Sequence, residues 1–435
     1  MKKVTLWAVI ALMMTTSITG CSGDEDTVVP KVEHEETPSG DEQEGNELAD
    51  ITLTRAEEKL VKGSNDFAFN LFRQTLLAED AGTASLRDAS AILSPISITY
   101  ALGMLNNGAA GVTQEQINNM LGFGKEGADS INAFCKKMLT KAPGLDKLTK
   151  VMIANTIFVN NKFQLEDAFV QKAREYYGGT PETRDFTDGK TLDAINQWAS
   201  DHTEKMIDKV LDKDSFDPTA VSYLLNVIYF KGTWTLKFNK EETQDEIFYT
   251  YSKQNNPKMP MMHLKSEFNY ADYEDFQVLC LPYGNKAYSM TLFLPREGKT
   301  IDNVLKALDA TSWERYRNLG SATVDVKLPR FELKSDVKLN GIMARLGMPK
   351  AFTTSAEFPY FCNVPTYIGL MKQVARIKLN EEGTEAAAVT VIGMKDYSIG
   401  GEGGEKIFHA NRPFLYVISE QSTGAVFFIG QYMGN

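Results

Sequence analysis

Cysteine is scarce in this chain of 435 residues: Cys21, Cys135, Cys280 and Cys362 are all there are. No two of them stand at a metal-chelating spacing, and an odd three remain beyond the first, which argues against a disulfide scaffold. A core of this size does not need one. Histidine is equally sparse. His34, His202, His263 and His409 each lack a second ligand-type neighbour at metal spacing, so no metal is expected. The Gly-x-Ser-x-Gly and P-loop signatures are missing, which removes two common designs for nucleophilic attack and phosphate binding. The glycine run Gly400-Gly401-Glu402-Gly403-Gly404 lacks the strand–turn–helix setting of a dinucleotide site. There is no basic surplus either: 46 Lys and Arg face 57 Asp and Glu, a net charge of −11, so a nucleic-acid partner is not expected. These absences favour a binding or interaction protein over an enzyme, with no cofactor.

The acidity is local. Residues 22–50 hold eleven acids against Lys31, and with Lys2 and Lys3 counted the remaining chain from residue 51 carries only −3. This stretch has no aromatic residue and contains Pro30, Pro38 and Gly40, a composition that cannot offset its ordering entropy. Ahead of it, Lys2-Lys3 precede an apolar run from Val4 to Met14, too short to span a bilayer as a helix. Ser17-Ile18-Thr19-Gly20-Cys21 then resembles the lipobox of bacterial lipoproteins. The expected organisation is a signal peptide over 1–20, an acidic disordered tether over 21–50 beginning at a lipidated Cys21, and one folded domain over 51–435. A lipid on Cys21 would anchor the protein to a membrane without spanning it. The acids directly after that cysteine resemble the export signal of Gram-negative surface lipoproteins. An outer-membrane location, displayed at the cell surface or facing the periplasm, is the expectation.

Periodicity organises the rest. Phe67, Leu71 and Leu76 mark a helical face over Asn65 to Leu77. Ser94-Pro95 opens a second helix, with Ser94 as N-cap and Pro95 at the first helical position. Thr113-Gln114-Glu115-Gln116 reads as a capping box before Ile117, Met120 and Leu121. Leu192, Ile195 and Ala199 mark another helix. Strands are expected at Tyr223–Phe230, Met290–Leu294, Val324–Leu328, Phe414–Ile418 and Ala425–Ile429, the last two pairing with each other.

Six segments carry a family resemblance. Ser94-Pro95-Ile96-Ser97-Ile98, Asn226 to Trp234, Leu281-Pro282-Tyr283 and Leu328-Pro329-Arg330-Phe331 resemble serpin signatures in the serpin order. So do Glu381-Glu382-Gly383-Thr384-Glu385-Ala386-Ala387-Ala388 and Phe408-His409-Ala410-Asn411-Arg412-Pro413-Phe414. The resemblance covers roughly Asn65 to Gln431. It implies a mixed α/β (α+β) fold with three β-sheets, eight or nine helices and an exposed reactive-centre loop. It also implies a monomeric suicide-substrate inhibitor of serine proteases and not an enzyme. A protease cuts the loop, and the acyl-enzyme is trapped as the loop inserts into the main sheet.

The loop can be tested for that role. Counting from Thr384, every second residue (Thr384, Ala386, Ala388, Thr390, Ile392, Met394) would face inward, and all are small or apolar. Glu385, Ala387, Val389, Val391, Gly393 and Lys395 would face outward, where the two charges can stay in water. The resemblance puts the cleaved bond fourteen residues past the hinge glycine, which from Gly383 gives Tyr397–Ser398. An aromatic there suits chymotrypsin-like, cathepsin G-like or elastase-like targets. The segment from Ile399 to Ile407 is long, so cleavage at Lys395 or Met394 is the alternative, which would bring in trypsin-like or cysteine proteases. A non-inhibitory member acting as a surface binding module is the other alternative. By resemblance, Ser94, Ser97, Asn226 and Gln373 form the shutter under the sheet, with Gln373 where most relatives have histidine. Trp234 and Arg330 belong to the breach, where the loop first enters, and Arg330 would pair with Glu381. The stretch Thr113–Phe123, matching the family's heparin-binding helix, has no Arg or Lys, so no heparin site is expected.

Overall fold

The computed structural model describes residues 46–78, 86–252, 256–384 and 405–434. Its first helix, α1 (Arg55–Leu76), begins ten residues before the expected start. Thr54 sets that start through a capping box: its hydroxyl accepts from the Glu57 N–H, and the Glu57 carboxylate accepts from the Thr54 N–H at 2.7 Å. After β1 (Ala91–Leu93) comes α2 (Pro95–Asn106), buried along its whole length. Ser94 is its N-cap residue, yet the hydroxyl is spent elsewhere, donating to the Phe427 carbonyl at 2.8 Å. The capping box expected at Thr113 does not form, because α3 (Gly111–Met120) starts earlier, from Ala110. The two side chains tie the helix to a distant segment instead: the Thr113 hydroxyl accepts from the Glu357 N–H, and the Gln116 carbonyl oxygen from the Lys350 N–H.

The chain continues through α4 (Ala128–Lys141), β2 (Thr149–Asn160), α5 (Asp167–Tyr177), β3 (Thr180–Arg184), α6 (Lys190–Asp201) and β4 (Ser222–Thr233). Then follow β5 (Gln244–Ile247), β6 (Lys258–Asp272), β7 (Phe276–Tyr283), β8 (Tyr288–Pro295), α7 (Ile301–Ala307) and α8 (Ala310–Tyr316). The last part holds β9 (Ser321–Pro329), β10 (Phe331–Lys338), α9 (Asn340–Leu346), β11 (Lys372–Asn380), β12 (Gly383–Thr384), β13 (Lys406–His409), β14 (Phe414–Glu420) and β15 (Val426–Tyr432). All five strands expected from periodicity are present, and β14 and β15 pair antiparallel as expected.

Among the described residues there are two hydrogen-bonded ladders. One has six strands in the order β10-β11-β12-β4-β2-β3. The other runs β1-β15-β14-β8-β7-β6-β9-β13, with β5 beside β6. The long strand β6 joins what would otherwise be two sheets. Its Met261–Asn269 stretch pairs with β9 and its Asn269–Asp272 end pairs with β7. The three expected sheets are thus present, two of them sharing β6.

The main apolar core lies between the ladders, where α2 packs against both β4 and β15. A second apolar cluster covers the other face of the six-stranded sheet. There Ile195 and Ala199 of α6, with Phe186 and Ile207, pack over Tyr223 and Val227 of β4 and Val374 of β11. Near the N-terminus, the last residues of the expected tether are held against the body. Asn46 donates to the Asp146 carboxylate at 2.8 Å and accepts from the Lys147 N–H at 2.9 Å. Asp146 is buried and needs such partners.

Candidate functional site: a hinge seated in a gap of the main sheet

β11 ends at Asn380, and the chain turns through Glu381 and Glu382 and runs back as β12. This two-residue strand pairs with β11 (Leu379↔Thr384, Asn380↔Gly383) and with β4 (Gly383↔Thr233, Thr384↔Gly232). Both pairings are antiparallel, so β4 and β11 run parallel to each other with β12 wedged between them at one end. Gly383 has φ +148°, and a Cβ on it would lie 2.0 Å from the Gly232 carbonyl oxygen, so the close approach demands glycine.

Thr384 faces the core and is 2% exposed. Its hydroxyl shares a 2.7 Å hydrogen bond with the phenol of Tyr283, a residue buried completely. Trp234 stacks on Tyr283 with ring centroids 4.4 Å apart and an interplanar angle of 9°. Trp234 also holds the turn: its indole N–H donates to the Asn380 carbonyl at 3.0 Å and its backbone N–H to the Glu382 carbonyl at 2.9 Å. The Phe238 N–H donates to the Glu381 carbonyl at 3.0 Å. Glu381 pairs with Arg330, as the resemblance implied, and accepts from the Thr243 hydroxyl at 2.7 Å. The pair is lopsided, the carboxylate 2% exposed and the guanidinium 46%, so it is no ordinary surface ion pair. Burial pushes the Glu381 carboxyl up, but the bonds from Arg330 and Thr243 outweigh it and hold the group below its ordinary range. Glu382 is clamped by Lys237 at 2.9 Å and Lys240 at 3.0 Å.

Further along the same two strands lies a cavity of about 530 Å³, lined by the first residues of β4 and β11. Leu102, Leu224, Asn226, Phe361, Met371 and Gln373 are among its walls. The expected shutter residues fall into two groups on opposite sides of it. Gln373 accepts from the Ser94 N–H at 2.9 Å and donates to the Ser94 carbonyl and the Ser97 hydroxyl, each at 2.9 Å. Asn226 is not part of that network. Its amide donates to Asn155 at 2.8 Å, and the Asn155 amide donates to the Tyr177 carbonyl at 3.0 Å. Asn155, Thr243 and the partners of Glu382 carry no local sequence signal. Tyr283 stood within a recognised motif, with no role attached.

The described chain resumes at Glu405, which pairs with Lys265 at 2.9 Å, and β13 then lies parallel to β9. Glu385, Ala386, Ala387, Ala388, Val389, Thr390, Tyr397, Ser398 and Cys21 lie outside the described residues. Among the described residues Cys135, Cys280 and Cys362 are free and buried. No described group of three or more His, Cys, Asp or Glu could hold a metal ion, and no described helix is long and apolar enough to cross a membrane.

Two parallel strands held apart by a seated hinge, over a fully buried helix, define the class. A family model described as Serpin (serine protease inhibitor) matches residues 62–434, and the chain belongs to that family. Neuroserpin of Gallus gallus is 29% identical over 363 residues, 80% of this chain and 87% of its own length. Serpin B3 of Homo sapiens is 28% identical, covering 86% of this chain and 98% of its own. The crystal structure of a thermophilic serpin, tengpin, in the native state superposes with a TM-score of 0.77 at 28% identity, covering 89% of this chain and 97% of that one. Thyroxine-binding globulin in complex with thyroxine matches with a TM-score of 0.76 at 24% identity, over 86% of this chain and 99% of that one. That likeness speaks for the fold alone.

Proposed function

We propose that this serpin is a suicide-substrate inhibitor of serine proteases, held at the outside of the cell by a lipid on Cys21. The observation that carries the reading is the hinge. Its first two residues already stand as an antiparallel strand between β11 and β4, and a cavity lies further along the same two strands, at Asn226 and Gln373. Continuing their register pairs the inward residues of the loop with the walls position by position. Ala386 would fall between Ile377 and Phe230, and Ala388 between Ala375 and Ile228. Thr390 would fall between Gln373 and Asn226, and Ile392 between Met371 and Leu224. Apolar residues meet apolar walls, and the one hydroxyl beyond the hinge meets two amides. About a dozen new ladder bonds, at roughly 0.5–1.5 kcal/mol net each, would drive insertion by on the order of 10 kcal/mol. The uncut protein would then be held by a kinetic barrier.

Inhibition is a race. After the protease attacks, with cleavage at Tyr397–Ser398 as the proposed bond, insertion must finish before water releases the acyl-enzyme. Incubation with chymotrypsin, elastase and trypsin tests this directly. An SDS-stable complex with chymotrypsin, and a released peptide beginning at Ser398, is the expected result. Clean cleavage that leaves every protease active would make the protein a non-inhibitory binding module. A cut after Lys395 would redirect it to trypsin-like targets.

A further inference from the structure

Tyr283 stands under the hinge, and nothing in the inhibitory reading calls for its hydroxyl. Its ring is clamped on three sides. It stacks on Trp234, meets Phe230 edge-on at 5.1 Å, and covers Gly232, where a Cβ would come within 2.7 Å of its Cδ1. The backbone is tied as well, with the Lys286 N–H on the Tyr283 carbonyl at 2.7 Å and the Gly284 N–H on the Thr233 carbonyl at 2.8 Å. A ring held this way presents its O–H to the slot between β11 and β4, and the Thr384 hydroxyl meets it there. Neither group reaches water, so withdrawing Thr384 would leave a buried phenol without a partner.

We infer that Tyr283 is a positioning residue that pins Thr384 in the register of the inserted strand before any bond is cut. Insertion then lengthens a strand already begun. The ordering entropy of its first residues, which the ladder would otherwise have to recover, is met in advance. The hydroxyl also selects the face. A slip of one residue would turn Glu385 inward over the Trp234–Tyr283 stack and reverse every face after it. The role of the pin in trapping a protease rests on the inhibitory reading above; the pin itself does not.

Three variants test it: Tyr283→Phe, which keeps the ring, Thr384→Val, which keeps the shape, and Thr384→Ser, which keeps the hydroxyl. Hydrogen exchange of the uncut protein should show the Gly383 and Thr384 amides opening about five- to tenfold faster in the first two, reflecting one buried hydrogen bond. Thr384→Ser should stay near the parent, and the Tyr283→Phe/Thr384→Val pair should be no faster than either alone. Amides of β10 and β14 should not change. Unaltered hinge exchange in Tyr283→Phe, additive effects in the pair, or equal acceleration in β10 and β14 would each overturn the pin. With chymotrypsin, the first two variants should send a several-fold larger share of molecules to cleaved product at an unchanged cleavage rate. If the parent traps no protease, the inhibitory reading falls and the exchange result still decides the pin.

Discussion

Gly383 and Gly232 face each other across the hinge so closely that a Cβ on the first would lie 2.0 Å from the carbonyl oxygen of the second. Gly383→Ala therefore cannot keep the hinge seated without moving β4, and it also forces alanine into a φ that favours glycine. The expected outcome is a native state weaker by about 1–3 kcal/mol, read as a lower denaturant midpoint, with faster amide exchange at the hinge.

Thr384→Arg should separate cleavage from trapping. The position is already buried between Leu379 and Gly232 in the uncut protein, so arginine would unseat the hinge, and an inserted strand would then have to carry a guanidinium into the core, a cost of several kcal/mol. Loop cleavage should proceed at the parent rate, while the amount of serpin needed to block one equivalent of chymotrypsin rises more than tenfold. A gel showing undiminished complex would refute this.

Gln373→Ala removes three hydrogen bonds at once and strands the Ser94 N–H, which is buried. With about 1–3 kcal/mol for each buried group left unpaired, a loss of roughly 2–4 kcal/mol is expected in denaturant titration. Asn226, on the other side of the gap, bonds Asn155 of the neighbouring strand β2, so Asn226→Ala should be additive with it, because the two share no partner in the uncut protein.

The pH dependence of the hinge follows from Glu381. Its carboxyl is held below the ordinary value of 4.5 in the folded protein, so the unfolded chain takes up the proton more readily. The stabilisation is full above that value and is lost as pH falls through the lower folded one. Unfolding midpoints measured from pH 6 to pH 3 should fall more steeply for the parent than for Glu381→Gln.

Cys21→Ser should move the protein from the membrane fraction to the soluble one without altering its reaction with chymotrypsin. Detergent-phase partitioning measures the first, and a complex-formation gel the second. Retention in the membrane fraction would show that another feature holds it there.

Local pattern was enough for much of the fold. Val324–Leu328 alternates because one face of β9 is buried, and Leu192, Ile195 and Ala199 recur at helical spacing because one face of α6 lies on the sheet. It failed where a tertiary partner competed for a side chain. Thr113 and Gln116 have the spacing of a cap but bond the 350–357 segment, and the charged first half of α1 hid a helix whose start Thr54 and Glu57 define.

The site divides the same way. That Thr384, Ala386, Ala388 and Thr390 are all small was visible in the sequence, since alternation with period two can be read without any partner. What those residues meet was not. Tyr283 lies 101 residues from Thr384, Thr243 lies 138 from Glu381, and Asn226 turned to Asn155 instead of Gln373. A side chain's rotamer and partner depend on which polar atoms the packed core brings within about 3 Å, and that proximity is a property of the whole sheet. The sequence determined that a run of small residues follows the hinge glycine, and the tertiary structure decided that Gly383 and Thr384 already stand between β4 and β11, held by one phenol.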